Sequence, residues 1–106
     1  MSDRKTLGAI LFEDFELLDL YGPLEMFGNI GKELEIITIA ENEGPVKSVQ
    51  GPSTLAEYTF TNAPDLNMVL IPGGLGTFTQ SENPAMLNFL KSKSKSAEAV
   101  MSVCTG

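Results

Sequence analysis

The chain has 106 residues, 42% of them hydrophobic, which suits one small globular domain or part of a larger one. Fourteen acidic against 7 basic side chains give a formal charge of −7, a sign that repels phosphate backbones and anionic bilayers, so no nucleic-acid or membrane partner is expected. Histidine and tryptophan are absent and there is 1 cysteine, which excludes a Cys–His pair, a Ser–His–Asp triad, a histidine metal site and an internal disulfide, and fits a reducing cytoplasm.

Thr6–Phe12 is a nearly continuous apolar run, the pattern of a strand buried on both faces of a parallel sheet. It is far shorter than the ~20 residues that span a bilayer, and no small-residue cleavage site marks a secretory signal. Glu13–Glu16 breaks the run, and Leu17-Leu18-Asp19-Leu20-Tyr21-Gly22-Pro23 leads into a helix with Pro23 expected in its first turn. Leu24, Phe27 and Ile30 supply its inner face, and Gly28 and Gly31 mark its end. Glu35–Ala40, rich in β-branched residues, is a second strand. Val46–Val49 and Leu55–Phe60 flank Gly51-Pro52-Ser53 and read as a small antiparallel excursion at the sheet edge. Met68–Ile71 is a third parallel strand, ending in the glycine-rich loop Pro72-Gly73-Gly74-Leu75-Gly76.

Asn83 and Pro84 are an N-cap and first position for the next helix, whose apolar face is Met86, Phe89 and Leu90. Lys91, Lys93 and Lys95 fall in its last turns, where cations suit the negative end of the dipole and read as a solvated helix end. Ala99–Val103 is the fourth strand. It delivers Cys104 onto a Thr105–Gly106 turn, the way an α/β protein lifts a nucleophile above its sheet. The chain is therefore expected to be the N-terminal half of a single α/β domain, 1–106, ending at the nucleophile elbow.

Alternating strands and helices predict a mostly parallel sheet with right-handed crossovers. Ligands bind outside the carboxyl ends of such strands, where Phe12–Asp19, Pro72–Gly76 and Cys104–Gly106 all emerge. With the Met68–Ile71 strand between the other two, Asp19 and Cys104 are separated by two inter-strand steps, ~10 Å between strand axes. The resulting constellation is a thiol, a carboxyl group and the bare backbone of Gly73 and Gly74. Cys104 would attack an electrophilic carbon as thiolate, and a helix N-terminus lowers a thiol pKa from ~8.5 to between ~3.5 and 7.5. Asp19 would carry a proton to and from the reacting group. The amides of Gly74 and Thr105 would face developing negative charge. Each residue also has a plainer use. Cys104 would serve as a small buried hydrophobe, Asp19 and Thr105 as helix caps, and the glycine pair as a simple turn.

Leu18-Asp19-Leu20-Tyr21-Gly22-Pro23, Ile71-Pro72-Gly73-Gly74 and Ser102-Val103-Cys104-Thr105-Gly106 stand in the order and approximate spacing of the DJ-1/PfpI superfamily, which this chain resembles over its whole length. The resemblance implies a flavodoxin-like fold (class I glutamine amidotransferase-like) with helices on both faces of the sheet, and a homodimer. Most members carry glutamate near the start of the first helix, and many place histidine directly after the cysteine. Here Asp19 and Thr105 stand instead, a combination similar to the isonitrile hydratase branch, which forms N-substituted formamides without metal or organic cofactor. By that resemblance Cys104 is the nucleophile, Asp19 the acid/base group, Thr105 a supporting residue and Gly74 an oxyanion-binding position. It also leaves open another small-molecule electrophile such as a reactive carbonyl, a cysteine redox sensor, or the sensor domain of an AraC-type transcription regulator.

Overall fold

Strand β1 (Lys5–Ile10) takes up the first apolar run, and its Leu7, Ala9 and Ile10 are inaccessible to solvent. A computed structural model of the chain describes residues 5–29 and 33–103. After β1 come α1 (Leu17–Gly28), β2 (Leu34–Ala40), β3 (Gly44–Lys47), β4 (Ser53–Ala56), β5 (Tyr58–Thr59), β6 (Met68–Ile71), α2 (Gly76–Gln80), α3 (Pro84–Ser94) and β7 (Ala99–Ser102). Five of the strands form one sheet in the order β5-β2-β1-β6-β7, and every pairing in it is parallel. Strands β3 and β4 pair antiparallel as a separate hairpin.

Starting at β1, the chain first builds outward through β2 and β5, then crosses back to lay down β6 and β7 on the other side. Because right-handed crossovers run in opposite directions from this point, α1 and α3 cover opposite faces. The reversal makes the crevice above the carboxyl ends of β1 and β6 the topological switch point, where open α/β sheets bind ligands. Leu20 of α1 and Met86 and Phe89 of α3 enter the core with Phe15, Ile37, Ile39, Leu66 and Val69. Phe89 also stacks on Phe60 with ring centroids 4.4 Å apart.

Three local features depart from the sequence expectation. Helix α1 begins at Leu17, so Pro23 lies inside it rather than in its first turn. Without an N–H, Pro23 leaves the carbonyl of Asp19 unserved by the helical ladder, a defect that costs ~3 kcal/mol in an ordinary helix interior. Burial of Leu20, with Leu17 and Leu24 packed against the core, offsets that loss. The second arm of the excursion splits: Ser53–Ala56 stays in the hairpin, while Tyr58 and Thr59 join the main sheet beside Ile39 and Ala40. A short helix, α2, follows the glycine loop where the sequence carried no helical period. Ile30 and Gly31, expected at the end of α1, lie outside the described residues.

The start of α3 follows the sequence closely. The Asn83 side chain accepts from the Ala85 amide at 3.1 Å, and its Nδ2 donates to Glu41 and Gln80. We expect Asn83→Ala to lower unfolding free energy by ~1 kcal/mol, the usual worth of such a cap, measurable as a shift in urea midpoint at constant m. At the other end Lys93 is more than a solvated charge. Its Nζ donates to the carbonyls of Ala63 and Pro64 at 3.3 and 3.1 Å, tying α3 to the loop before β6.

Candidate active site

The loop from Leu11 to Glu16 carries the chain off β1 and sets the angle at which α1 starts. Asp14 adopts the left-handed conformation (φ 66°), which aspartate tolerates better than most residues. Its N–H donates to the Lys47 carbonyl at 2.8 Å and its carbonyl accepts from the Gly76 amide at 3.0 Å. Glu16 donates its N–H to the Gly73 carbonyl at 2.7 Å. The first crossover and the glycine corner after β6 are thus bonded to each other directly.

The close approach requires glycine. Gly74 sits at φ 126°, and a Cβ there would lie 2.5 Å from the Glu16 nitrogen and 2.6 Å from the Asp14 oxygen. A Cβ on Gly76 would fall 1.9 Å from the Glu13 oxygen. These neighbours are main chain and cannot rotate away. We therefore expect Gly76→Ala to cost at least ~3 kcal/mol, the upper part of the overpacking range, seen as a large fall in thermal midpoint.

Asp19 is the third residue of α1, three positions after the Glu16 amide that bonds Gly73. Its Oδ2 is buried and has no hydrogen-bond partner among the described residues. An acidic residue at this helix position ordinarily reaches back to the N-cap amide. Here that amide, of Glu16, already serves Gly73, and the next one, of Leu17, serves Gln50 Oε1 at 3.0 Å. Helix capping therefore does not account for the carboxyl group. A buried, unpaired polar oxygen costs about 1–3 kcal/mol, and such positions in native folds call for a chemical explanation.

On the far side of β6, the register Ile71↔Ser102 continues one step further, the Val103 amide donating to the Ile71 carbonyl at 3.1 Å. This brings the chain to the same sheet edge as Gly73, one residue before Cys104. Cys104 and Thr105 themselves lie outside the described residues. The structure thus joins Gly73 and Gly74 to the turn that precedes α1, three residues before Asp19, and places β6 between β1 and β7 as the sequence reading requires. Gln50 and Thr77, which donates from Oγ1 to the Gly74 carbonyl at 2.8 Å, were not foreseen. Gln50 acts on a residue 33 positions away, which no local pattern encodes.

Two recesses lie nearby. The larger, of ≈ 360 Å³, is lined by Leu11, Phe12 and the acidic turn Glu41–Glu43, and neither Asp19 nor the glycine corner contributes to it. A smaller apolar one, of ≈ 190 Å³, includes Phe12, Ile71 and Thr77. No group of three or more His, Cys, Asp or Glu side chains among the described residues is arranged to hold a metal ion. No helix among them is long and apolar enough to cross a membrane.

A parallel sheet with a switch-point corner of this kind defines a flavodoxin-like α/β protein. The chain matches the DJ-1/PfpI family over residues 5–106 and belongs to it. It is 31% identical over 100 residues to the isonitrile hydratase of Pseudomonas putida, covering 94% of this chain and 43% of that protein. A ThiJ/PfpI family crystal structure from Pseudomonas syringae superposes with a TM-score of 0.92 at 28% identity, covering 97% of this chain and 43% of the other. A two-domain protein from Anabaena variabilis, with DJ-1/ThiJ/PfpI-like and ferritin-like domains, has the same fold at 23% identity and a TM-score of 0.81 over 94% of this chain and 30% of its own.

Proposed function

We propose that this chain carries the nucleophile and the acid/base group of a cofactor-independent enzyme that hydrates isonitriles to N-substituted formamides. The buried Oδ2 of Asp19, which has no hydrogen-bond partner among the described residues, is the observation that supports this reading most directly. The likeness to an isonitrile hydratase supports the choice of reaction. We propose further that 1–106 is the N-terminal part of one domain. Val100 on the edge strand β7 is 50% exposed and Leu87 on α3 is 48% exposed, apolar surface that further chain would cover. A cytoplasmic homodimer is part of the same reading, with Leu18 and Met26 on the outer side of α1 offering apolar surface to a partner.

In this mechanism the Cys104 sulfur bonds to the terminal carbon of R–N≡C while Asp19 delivers a proton to that carbon, giving the thioimidate R–N=CH–S–Cys104. The carboxylate so formed takes a proton from water as the water oxygen adds to the same carbon and passes that proton to the nitrogen, giving R–NH–CH(OH)–S–Cys104. The carbon–sulfur bond then breaks as the hydroxyl proton goes to the Asp19 carboxylate, releasing R–NH–CHO and restoring the thiolate and the protonated Asp19. The sum is one isonitrile plus one water to one formamide, with no net redox change. The backbone at Gly73 and Gly74, with Thr105, is assigned to steadying charge on the reacting group.

The test is turnover of an alkyl isonitrile, followed as formamide, by the protein carrying the complete domain. Formamide formation supports the reading. Its absence, together with rapid conversion of Cys104 to a sulfinate by mild peroxide, would favour a redox sensor instead.

A further inference from the structure

We infer that Gln50, at the tip of the β3–β4 hairpin, is a positioning residue that fixes the first turn of α1 and thereby Asp19, an inference that rests on the acid/base reading of Asp19. Glu16 is the N-cap of α1 with extended geometry (φ −83°, ψ 120°), yet its own side chain makes no capping bond. The cap comes from across the fold. Gln50 Oε1 accepts from the Leu17 amide at 3.0 Å, while Gln50 Nε2 donates to Glu16 Oε2 at 3.0 Å. Both ends of a single amide thus engage consecutive residues where the helix begins.

The hairpin grips the turn at several neighbouring points. The Asp14 amide donates to the Lys47 carbonyl at 2.8 Å, the Val49 amide to the Phe15 carbonyl at 2.9 Å, and Phe15 bridges to Ser48. Ser48 is buried and sends both its amide and its hydroxyl to the Pro52 carbonyl, which stiffens the tip that presents Gln50. Beyond Asp19, the Tyr21 hydroxyl meets the Thr54 hydroxyl. Asp19 is therefore bracketed by hairpin contacts on both sides along the helix and makes none of its own at Oδ2. A helix end frays when its first donors lose their acceptors, and displacement of a reacting group by ~1 Å can cost 10²-fold in rate.

The experiment compares Q50A, Q50E and the exchange variant E16Q/Q50E with wild type and D19N, all in the protein carrying the complete domain. The exchange keeps an amide donating to a carboxylate and an oxygen facing the Leu17 amide, with the two partners swapped. Two quantities are read: kcat and KM for an alkyl isonitrile, and the pH profile of Cys104 alkylation by iodoacetamide. We expect Q50A and Q50E to lower kcat by ~10-fold, the scale of one hydrogen bond, with KM unchanged. Their alkylation profiles should move in the same direction as that of D19N, and the exchange variant should recover both readouts. A Q50A protein with a lower thermal midpoint but intact kcat and profile would overturn the inference, as would an exchange variant that recovers neither. An alkylation profile unmoved by D19N itself would overturn the reading of Asp19, and the inference with it.

Discussion

Cys104→Ala is expected to lose at least ~10⁴-fold in formamide production, because removing a covalent nucleophile removes the whole stepwise route and not one stabilising contact. β7 is held in register with β6 through Ile71↔Ser102, and the Val103 amide extends that ladder to the last residue before the thiol. The main-chain bonds that hold the strand up to Val103 are not touched by the substitution. Stability should change little, and circular dichroism and thermal midpoint should match wild type while turnover disappears. Retention of full activity would show that the reaction does not pass through sulfur.

The second large effect belongs to Asp19. Asp19→Asn keeps the shape but cannot shuttle a proton, and a positioned general acid contributes ~10²- to 10⁴-fold. We expect a fall in kcat on that scale. The stability arm discriminates further. Were Asp19 a helix cap, Asp19→Ala would cost ~1 kcal/mol. The amides such a cap would serve are already bonded to Gly73 and Gln50, and Oδ2 is buried without a partner among the described residues. Deleting that carboxyl group should leave the unfolding midpoint unchanged or raise it, since no amide at the start of α1 depends on it for an acceptor. Loss of activity with equal or greater stability is the signature of a residue kept for chemistry. An Asp19→Ala protein that unfolds earlier would return the residue to a capping role.

Much of this arrangement was legible in the residues. Apolar runs at Thr6–Phe12, Glu35–Ala40 and Met68–Ile71 specify strands, the first of them buried on both faces, and Asn83-Pro84 specifies a helix start, because those signals are local. The start of α1 was not legible. Pro23 is a strong first-turn residue, but the helix that contains it is capped by Gln50 from a hairpin far along the chain, and burial of Leu20 outweighs the lost bond. The divided fate of Ser53–Thr59 was hidden for the same reason. Thr38 donates its hydroxyl to the Leu55 carbonyl and its backbone carbonyl accepts from the Glu57 amide, so β2 draws the chain into the main sheet through bonds made only after the fold has closed. At the site, the residue types pointed to thiol, carboxyl and glycine corner. What they could not convey is that Gly74 and Gly76 leave no room for a Cβ against residues 13–16, or that the amides Asp19 would cap are already taken.

The central claim is spatial, that the Asp19 carboxyl group faces the Cys104 sulfur across the Gly73–Gly74 corner. A crystal structure of the protein carrying the complete domain measures this directly. The account predicts Sγ within hydrogen-bonding reach of Asp19 Oδ2, both open to a shared cavity. Sulfur sealed among aliphatic side chains, or a carboxyl group turned away to another partner, would contradict it.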